Sequence, residues 1–148
     1  MFRNKKSEIL WGLNLRTYMY GSTVVKRQDG SVQFYNPLVP SGTEIQSWMA
    51  IQNYQAGRTQ PALPLLKKGH SYDLTANLEA VPTGSVFLKV SFLDRYDNEI
   101  KQLIEKSTQM TFVYPHEAYT YSISLLSAGV KELDFYSLKL EETGEEHV

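Results

Sequence analysis

Three histidines and the best local cluster of carboxylates are the first candidates for moving a proton: His70, His116 and His147, and Asp94, Asp97 and Glu99. A Ser/His/Asp triad needs a serine held on a strained turn, and the chain has no Gly-x-Ser-x-Gly elbow. His70 opens a stretch of alternating apolar residues, which reads as a strand end with its ring nitrogens satisfied. Two carboxylates about 5–10 Å apart can cleave a glycosidic bond. Asp94, Asp97 and Glu99, however, fall in a hairpin connection, where Asp and Asn supply turn geometry. The same oxygens could hold calcium, but their spacing does not fit an EF-hand loop. There is no His-Glu-x-x-His helix and no glycine-rich phosphate loop. The chain contains no cysteine, which excludes a thiol nucleophile, a disulfide framework and a Cys-based zinc site. The expectation is a protein that is not an enzyme and carries neither metal nor cofactor.

Recognition is the better-supported chemistry. Tyrosine outnumbers phenylalanine ten to six, and tyrosine suits positions with a buried ring and a wet hydroxyl. It also suits binding faces for sugars or peptides. Sheet packing should absorb Tyr72, Tyr119 and Tyr121. Trp48, Tyr54 and Arg58 differ, because they flank or lie in a long loop expected between Asn53 and Lys68, where Gly57, Pro61 and Pro64 interrupt any regular element. Loops of that length are often functional. Trp48 is equally economical as an anchor that packs the loop against the fold.

Charge bounds the partners. The net charge is −1, and four of the sixteen acids (Glu141, Glu142, Glu145 and Glu146) sit in the last eight residues. The pairs Lys5-Lys6, Lys26-Arg27 and Lys67-Lys68 are scattered and not interleaved with aromatics, so no nucleic-acid surface is expected. The longest apolar run, Trp48 to Ile51, is far short of the ~20 residues of a membrane span. Arg3, Lys5 and Lys6 are followed by Ser7 and Glu8 rather than by an apolar region, which reads as no signal peptide and a cytoplasmic chain.

The elements that must position these residues are strands. Two-residue alternation is common, helical periodicity is scarce, and turn residues recur every ten or so positions. The expected fold is all-β, an antiparallel β-sandwich or jelly roll in one domain over residues 1–140, with residues 141–148 as a frayed acidic tail. The clearest strands run from His70 to Leu78, Ser85 to Leu93 (a central strand, apolar on both faces), Glu99 to Ile104, Ala118 to Leu126 and Glu132 to Leu140. Pro82-Thr83-Gly84 and Ala128-Gly129 are turns. The apolar phase slips between Phe135 and Tyr136, which predicts a β-bulge. In the first half, Ile9 to Leu13, Val32 to Tyr35 and Glu44 to Gln52 read as strands, and Thr17 to Val25 as a weaker one. Ser107 to Met110 reads as a short helical turn.

Lys68-Gly69-His70-Ser71-Tyr72 entering a strand, Val90-Ser91-Phe92-Leu93-Asp94 and a final Leu138-Lys139-Leu140 have the rhythm of a carbohydrate-binding module. The stretch SWMAIQNYQAGRTQPALPLLKKGHSYDL, Ser47 to Leu74, is more specific. With PLVPSGTEI (Pro37 to Ile45) and VSFLDRYDNEI (Val90 to Ile100), it resembles the third and smallest of the Asp-type accessory Sec proteins, from Gram-positive bacteria that export serine-rich-repeat adhesins. The resemblance covers nearly the whole chain, from Leu10-Trp11-Gly12 to Leu140. It implies a non-enzymatic sandwich similar to a carbohydrate-binding module. It implies a complex with the two larger accessory proteins, association with the accessory Sec motor ATPase at the membrane, and recognition of the glycosylated adhesin. Trp48, Asn53, Tyr54 and Arg58 carry over as candidates for partner or substrate binding. Pro61, Leu63, Pro64, Leu65, Leu66 and Gly69 carry over as residues that shape the loop.

Two other readings compete. One is a free-standing carbohydrate-binding module or lectin that stacks sugars on Trp48 and Tyr54. The other is a small hydrolase using His70 with Asp94, Asp97 or Glu99, for which the sequence supplies no motif.

Overall fold

The computed structural model describes residues 6–11, 17–49, 63–64, 66–96 and 98–144. They form ten strands, all antiparallel in their pairings: β1 (Lys6–Ile9), β2 (Thr23–Lys26), β3 (Val32–Tyr35), β4 (Glu44–Met49), β5 (Ser71–Val81), β6 (Val86–Leu93), β7 (Glu99–Glu105), β8 (Gln109–Val113), β9 (Thr120–Ser127) and β10 (Glu132–Gly144). One six-stranded sheet has the order β2-β3-β10-β5-β8, with β1 also on β10. The other has four strands in the order β4-β9-β6-β7. The all-β sandwich expected from the alternation is the fold observed.

The long strand β10 organises the larger sheet. Its whole length pairs with β5, while its other edge takes β3 first (Phe135↔Val32) and then β1 (Leu138↔Ile9). The switch falls at a register shift between Phe135 and Ser137, which is the bulge that the phase slip predicts. The bulge keeps the apolar face inward on both sides of it: Leu133 and Phe135 before, Leu138 and Leu140 after, all buried.

Alternation puts the core between the sheets. Tyr72, Leu74 and Ala76 of β5 face Val86, Leu88, Val90 and Phe92 of β6 and Tyr121, Ile123 and Leu125 of β9 across the buried interior. Strand β6 lies between β9 and β7, as a central strand should. Two clusters of rings fill the rest. Trp11, Trp48, Phe34 and Phe135 form one, and Phe92, Phe112, Tyr114 and Tyr121 form the other.

Four expectations need correction. The first strand is Lys6–Ile9 and not Ile9 to Leu13: Leu10 and Trp11 follow the strand, and residues 12 and 13 lie outside the described residues. Ser107 to Met110 is not helical: Ser107 Oγ holds the turn by accepting from Gln109 N, and Met110 already points into the core as the second residue of β8. The weak strand from Thr17 shrinks to Thr23–Lys26, because Gly21 (φ +78°) turns the chain first. The domain does not stop at Leu140. Strand β10 continues to Gly144, and Glu142 is buried opposite Tyr72 and accepts a hydrogen bond from its hydroxyl at 3.3 Å.

The β6–β7 connection is a hairpin built on one carboxylate. Asp94 Oδ1 accepts from Tyr96 N at 2.8 Å and Asn98 N at 2.9 Å. These bonds, Asn98's above all, hold the Asp94 carboxyl below the usual carboxylate range. Its contribution is therefore complete above the unfolded value of ~4 and is lost as pH falls through the lower folded value. Backbone amide signals of Tyr96 and Asn98 should shift and exchange faster below about pH 4, before the β6–β9 ladder responds. Simultaneous loss of both would refute this.

Candidate functional site

The loop predicted to do the recognising begins where β4 ends. Asn53, Tyr54, Arg58, Pro61 and Leu65 lie outside the described residues, as does Asp97 of the carboxylate run. The root of the segment is well defined. Leu63 N donates to Met49 O at 3.4 Å, so the chain returns to the strand it left. Leu63 is buried in the core, and Pro64 O accepts from the Tyr121 hydroxyl at 2.6 Å. Burial pushes the Tyr121 hydroxyl far above its ordinary pKa, so it stays a neutral donor. Lys67 N donates to the Tyr72 hydroxyl at 2.8 Å. Gly69 takes φ +82°, and its N–H donates to Tyr114 O at 2.8 Å, which turns the chain into β5.

Trp48 is 3% exposed. Its ring stacks on Phe135 (centroids 5.5 Å, planes 26° apart) and meets Trp11 edge-on at 6.3 Å. Its indole N–H donates to Leu10 O at 3.0 Å. It therefore serves this end of the fold by packing, as the anchor of the strand that launches the loop.

His70 also sits at this root. Its Nδ1 lies 3.5 Å from Glu142 Oε2 and, contrary to the satisfied ring expected, has no hydrogen-bond partner. Asp94 is committed to its turn and Glu99 is exposed on β7. Among the described residues no three His, Cys, Asp or Glu side chains converge to hold a metal ion.

Beside the root lies a feature that the sequence reasoning missed. The outward face of the four-stranded sheet has a floor of hydroxyls. Register places Ser122 beside Ser91 and Met49, and Ser124 beside Lys89 and Ser47. Thr120, Ser91 and Ser124 are buried on this face, and the Thr120 hydroxyl has no partner. Larger neighbours make the walls: Phe87 and Leu126 on one side, Met49 and Leu93 on the other, all half-buried. Lys89 Nζ and Glu44 Oε2, 3.8 Å apart, and the Ser124 hydroxyl bonded to Glu44 at 3.3 Å complete the surface. The signal was present as Thr120, Ser122 and Ser124 alternating with Tyr121, Ile123 and Leu125. It looked like ordinary wet-face polarity, because the sequence does not show that Ser91 and Ser47 would align with it.

A trough floored by hydroxyls and walled by apolar side chains offers hydrogen bonds to an extended polar chain and contact to its carbons. The class the fold defines is an antiparallel β-sandwich. The Clostridium thermocellum endo-1,4-beta-D-xylanase 10B CBM22-1–GH10 modules complexed with xylohexaose share the fold at TM-score 0.56, with 12% identity, over 93% of this chain and 28% of that one. The particular family is narrower. Residues 17–142 match the family of the third ASP protein of the accessory Sec secretory system, and the chain belongs to it. It is 46% identical to the accessory Sec system protein of that name from Streptococcus gordonii, over 96% of each chain. It also superposes on a chain in the crystal structure of accessory secretory protein 1, 2 and 3 from Streptococcus pneumoniae, at TM-score 0.88 and 45% identity, over 92% of this chain and 95% of that one. The resemblance read from Ser47 to Leu74 thus stands, and the chain is a component of the accessory Sec system.

Proposed function

We propose that this protein is a non-enzymatic scaffold and substrate-binding, chaperone-like subunit of the accessory Sec export complex. It assembles with the two larger accessory Sec proteins, as the relative from Streptococcus pneumoniae is described with proteins 1 and 2. The substrate is the glycosylated serine-rich-repeat adhesin, which is passed to the motor ATPase. The complex works in the cytoplasm and peripherally at the membrane; among the described residues no helix is long and apolar enough to cross one.

The observation that carries the substrate role is the hydroxyl-floored trough of Ser47, Ser91, Ser122 and Ser124. A serine-rich chain crossing it would exchange hydroxyl and main-chain hydrogen bonds at little cost in sequence specificity. Each contact is weak, and many identical repeats raise the avidity. Tyr54, Arg58 and Asn53 are the further candidate contacts that the resemblance carries over. The second reading, a free-standing carbohydrate-binding module, draws on the same trough and the same fold class.

Isothermal titration with an unglycosylated repeat peptide, the glycosylated repeats and the free sugars separates the readings. The expected result is binding of the repeats that grows with repeat number and is lost in Ser122→Trp, which fills the floor without touching the core. Tight binding of free sugars alone would select the lectin reading. No binding of any of the three would overturn the substrate role.

A further inference from the structure

The four-stranded sheet ends in a bare strand. Strand β7 lies outermost in the order β4-β9-β6-β7, and among the described residues no strand pairs with its outer edge. Every residue of β7 is exposed except Leu103, which is half-buried and packs against the core. Register with β6 sorts the side chains onto two faces. Lys101, Leu103 and Glu105 stand beside Phe92, Val90 and Leu88, on the core face of the sheet. Gln102 and Ile104 stand beside Ser91 and Lys89, on the face that carries the hydroxyl floor. Ile100 and Ile104 are 42% and 48% exposed. An edge of unpaired N–H and C=O groups is a template for another strand. Charges on its core face restrict which strand that can be, because each must meet its opposite.

The sequence of β7 complements itself. Two copies that pair antiparallel about a two-fold axis normal to the sheet set residues of equal parity opposite one another, so the residue on the axis fixes the register. With Lys101 on the axis, two ammonium groups meet. With Gln102 there, Glu99 faces Glu105 of the second copy at both ends, and Lys101 faces only Leu103. With Leu103 there, the two leucines meet in the middle and each Lys101 faces Glu105 of the other copy, which makes two ion pairs. On the opposite face Gln102 then lies beside Ile104 of the second copy and covers part of that exposed side chain. With Ile104 on the axis, Lys101 and Glu105 face Ser107 and Leu103. Only the Leu103 register pairs every charge on the core face between residues 101 and 105. A serine-rich chain brings no charge for Lys101 or Glu105, so it fits this edge less well than a second copy does.

We infer that β7 is a self-association edge, which pairs antiparallel with β7 of a second copy about Leu103 and makes one eight-stranded sheet. The second copy adds to the surface as well as to the sheet. The row Ser122–Ser91–Gln102 of one copy runs on into Ile104, Lys89 and Ser124 of the other, so two hydroxyl floors join. A ligand built of repeats then meets both floors on one rigid sheet. The pairing itself depends neither on what crosses the floor nor on the proposed place in the export complex. An edge of seven residues buries less than the roughly 1,200–2,000 Å² of a stable interface, so the dimer is a weak one, with a Kd of about 100 μM.

Sedimentation velocity of the isolated chain over about 10–1,000 μM reads the inference with no substrate or partner present. The wild type should pass from monomer to dimer across that range. Lys101→Glu sets a carboxylate against Glu105 of the second copy, and Glu105→Lys sets an ammonium group against Lys101, twice in each dimer. Each should weaken dimerisation about ten-fold, and more at low salt. Both side chains are exposed, so thermal unfolding of the two variants should match the wild type. The double variant, Lys101→Glu with Glu105→Lys, restores both pairs and should dimerise as the wild type does. An equimolar mixture of the two single variants should form a heterodimer where each alone stays monomeric, since one presents two carboxylates where the other presents two ammonium groups. A wild type that stays monomeric throughout would overturn the inference. So would a dimer that keeps its strength in both single variants, or one that neither the double variant nor the mixture restores. The proposed function stands in all these cases, because the titration with repeats tests it separately. A monomeric wild type whose binding of an unglycosylated repeat peptide is lost in Lys101→Glu would assign the edge to the substrate and overturn the inference.

Discussion

Trp48→Ala is expected to lower stability by about 3–5 kcal/mol, the range for removing a large buried aromatic. That is a large part of the ~5–15 kcal/mol that holds a domain of this size. Three losses combine. The stacked Phe135 and edge-on Trp11 lose their common neighbour, a cavity opens between β4 and β10, and Leu10 O loses its donor. Each kcal/mol moves the midpoint of a chain of this length by about 2–4 °C, so thermal unfolding followed by circular dichroism should shift down by roughly 10–15 °C. Trp11 is the only other tryptophan, so its emission should shift red as water reaches the cluster. Trp48→Phe keeps most of the ring contact and should cost about 1–2 kcal/mol, mainly the hydrogen bond and the smaller ring. An unchanged midpoint in Trp48→Ala would refute the packing role. Reduced binding by Trp48→Ala would therefore report folding, and recognition by the loop is better tested at Tyr54 and Arg58.

What the sequence showed and what it hid divide along one physical line. Period-two alternation states which face of a strand is buried, so β5, β6, β9 and β10 were legible, down to the bulge after Phe135. It does not state which strands lie side by side. Ser91 stood out only as an interruption of an apolar run, and it becomes part of a surface because β6 pairs with β9 in the register that sets it beside Ser122. Trp48 could be placed at the loop from its position but could not be turned inward, since a tryptophan at a strand end suits a core and a binding face alike. Glu142 misled for the opposite reason. An acid in an acidic tail looks solvated, and only the pairing of β10 with the start of β5 brings the Tyr72 hydroxyl to it. Asn36 was invisible, because Tyr20 and Ser22 become its neighbours only when β2 turns back along β3, and its local bond to Leu38 N is that of any Asx turn.

Asn36→Ala tests whether that amide is a frame or merely a filler. The side chain satisfies Tyr20 O, Ser22 Oγ and Leu38 N together, and alanine can satisfy none of them. A buried group left without its partner costs about 1–3 kcal/mol. Ser22 can turn, because its hydroxyl already donates to Tyr18 O, so the expected loss is about 2–3 kcal/mol. The location of the damage distinguishes this variant from Trp48→Ala. Hydrogen exchange should rise in residues 18–22 and 36–39 and stay at wild-type levels in β6 and β9, which share no bond with the amide. Asn36→Asp keeps the acceptor for Leu38 N and loses both donors. Near neutral pH it should be worse than alanine, with an unpaired charge facing Tyr20 O, and it should become better than alanine only where the carboxyl is protonated and can donate again. Uniform exchange across the whole sandwich would instead make Asn36 a part of the global fold, and the two loops would then owe their shape to something other than this amide.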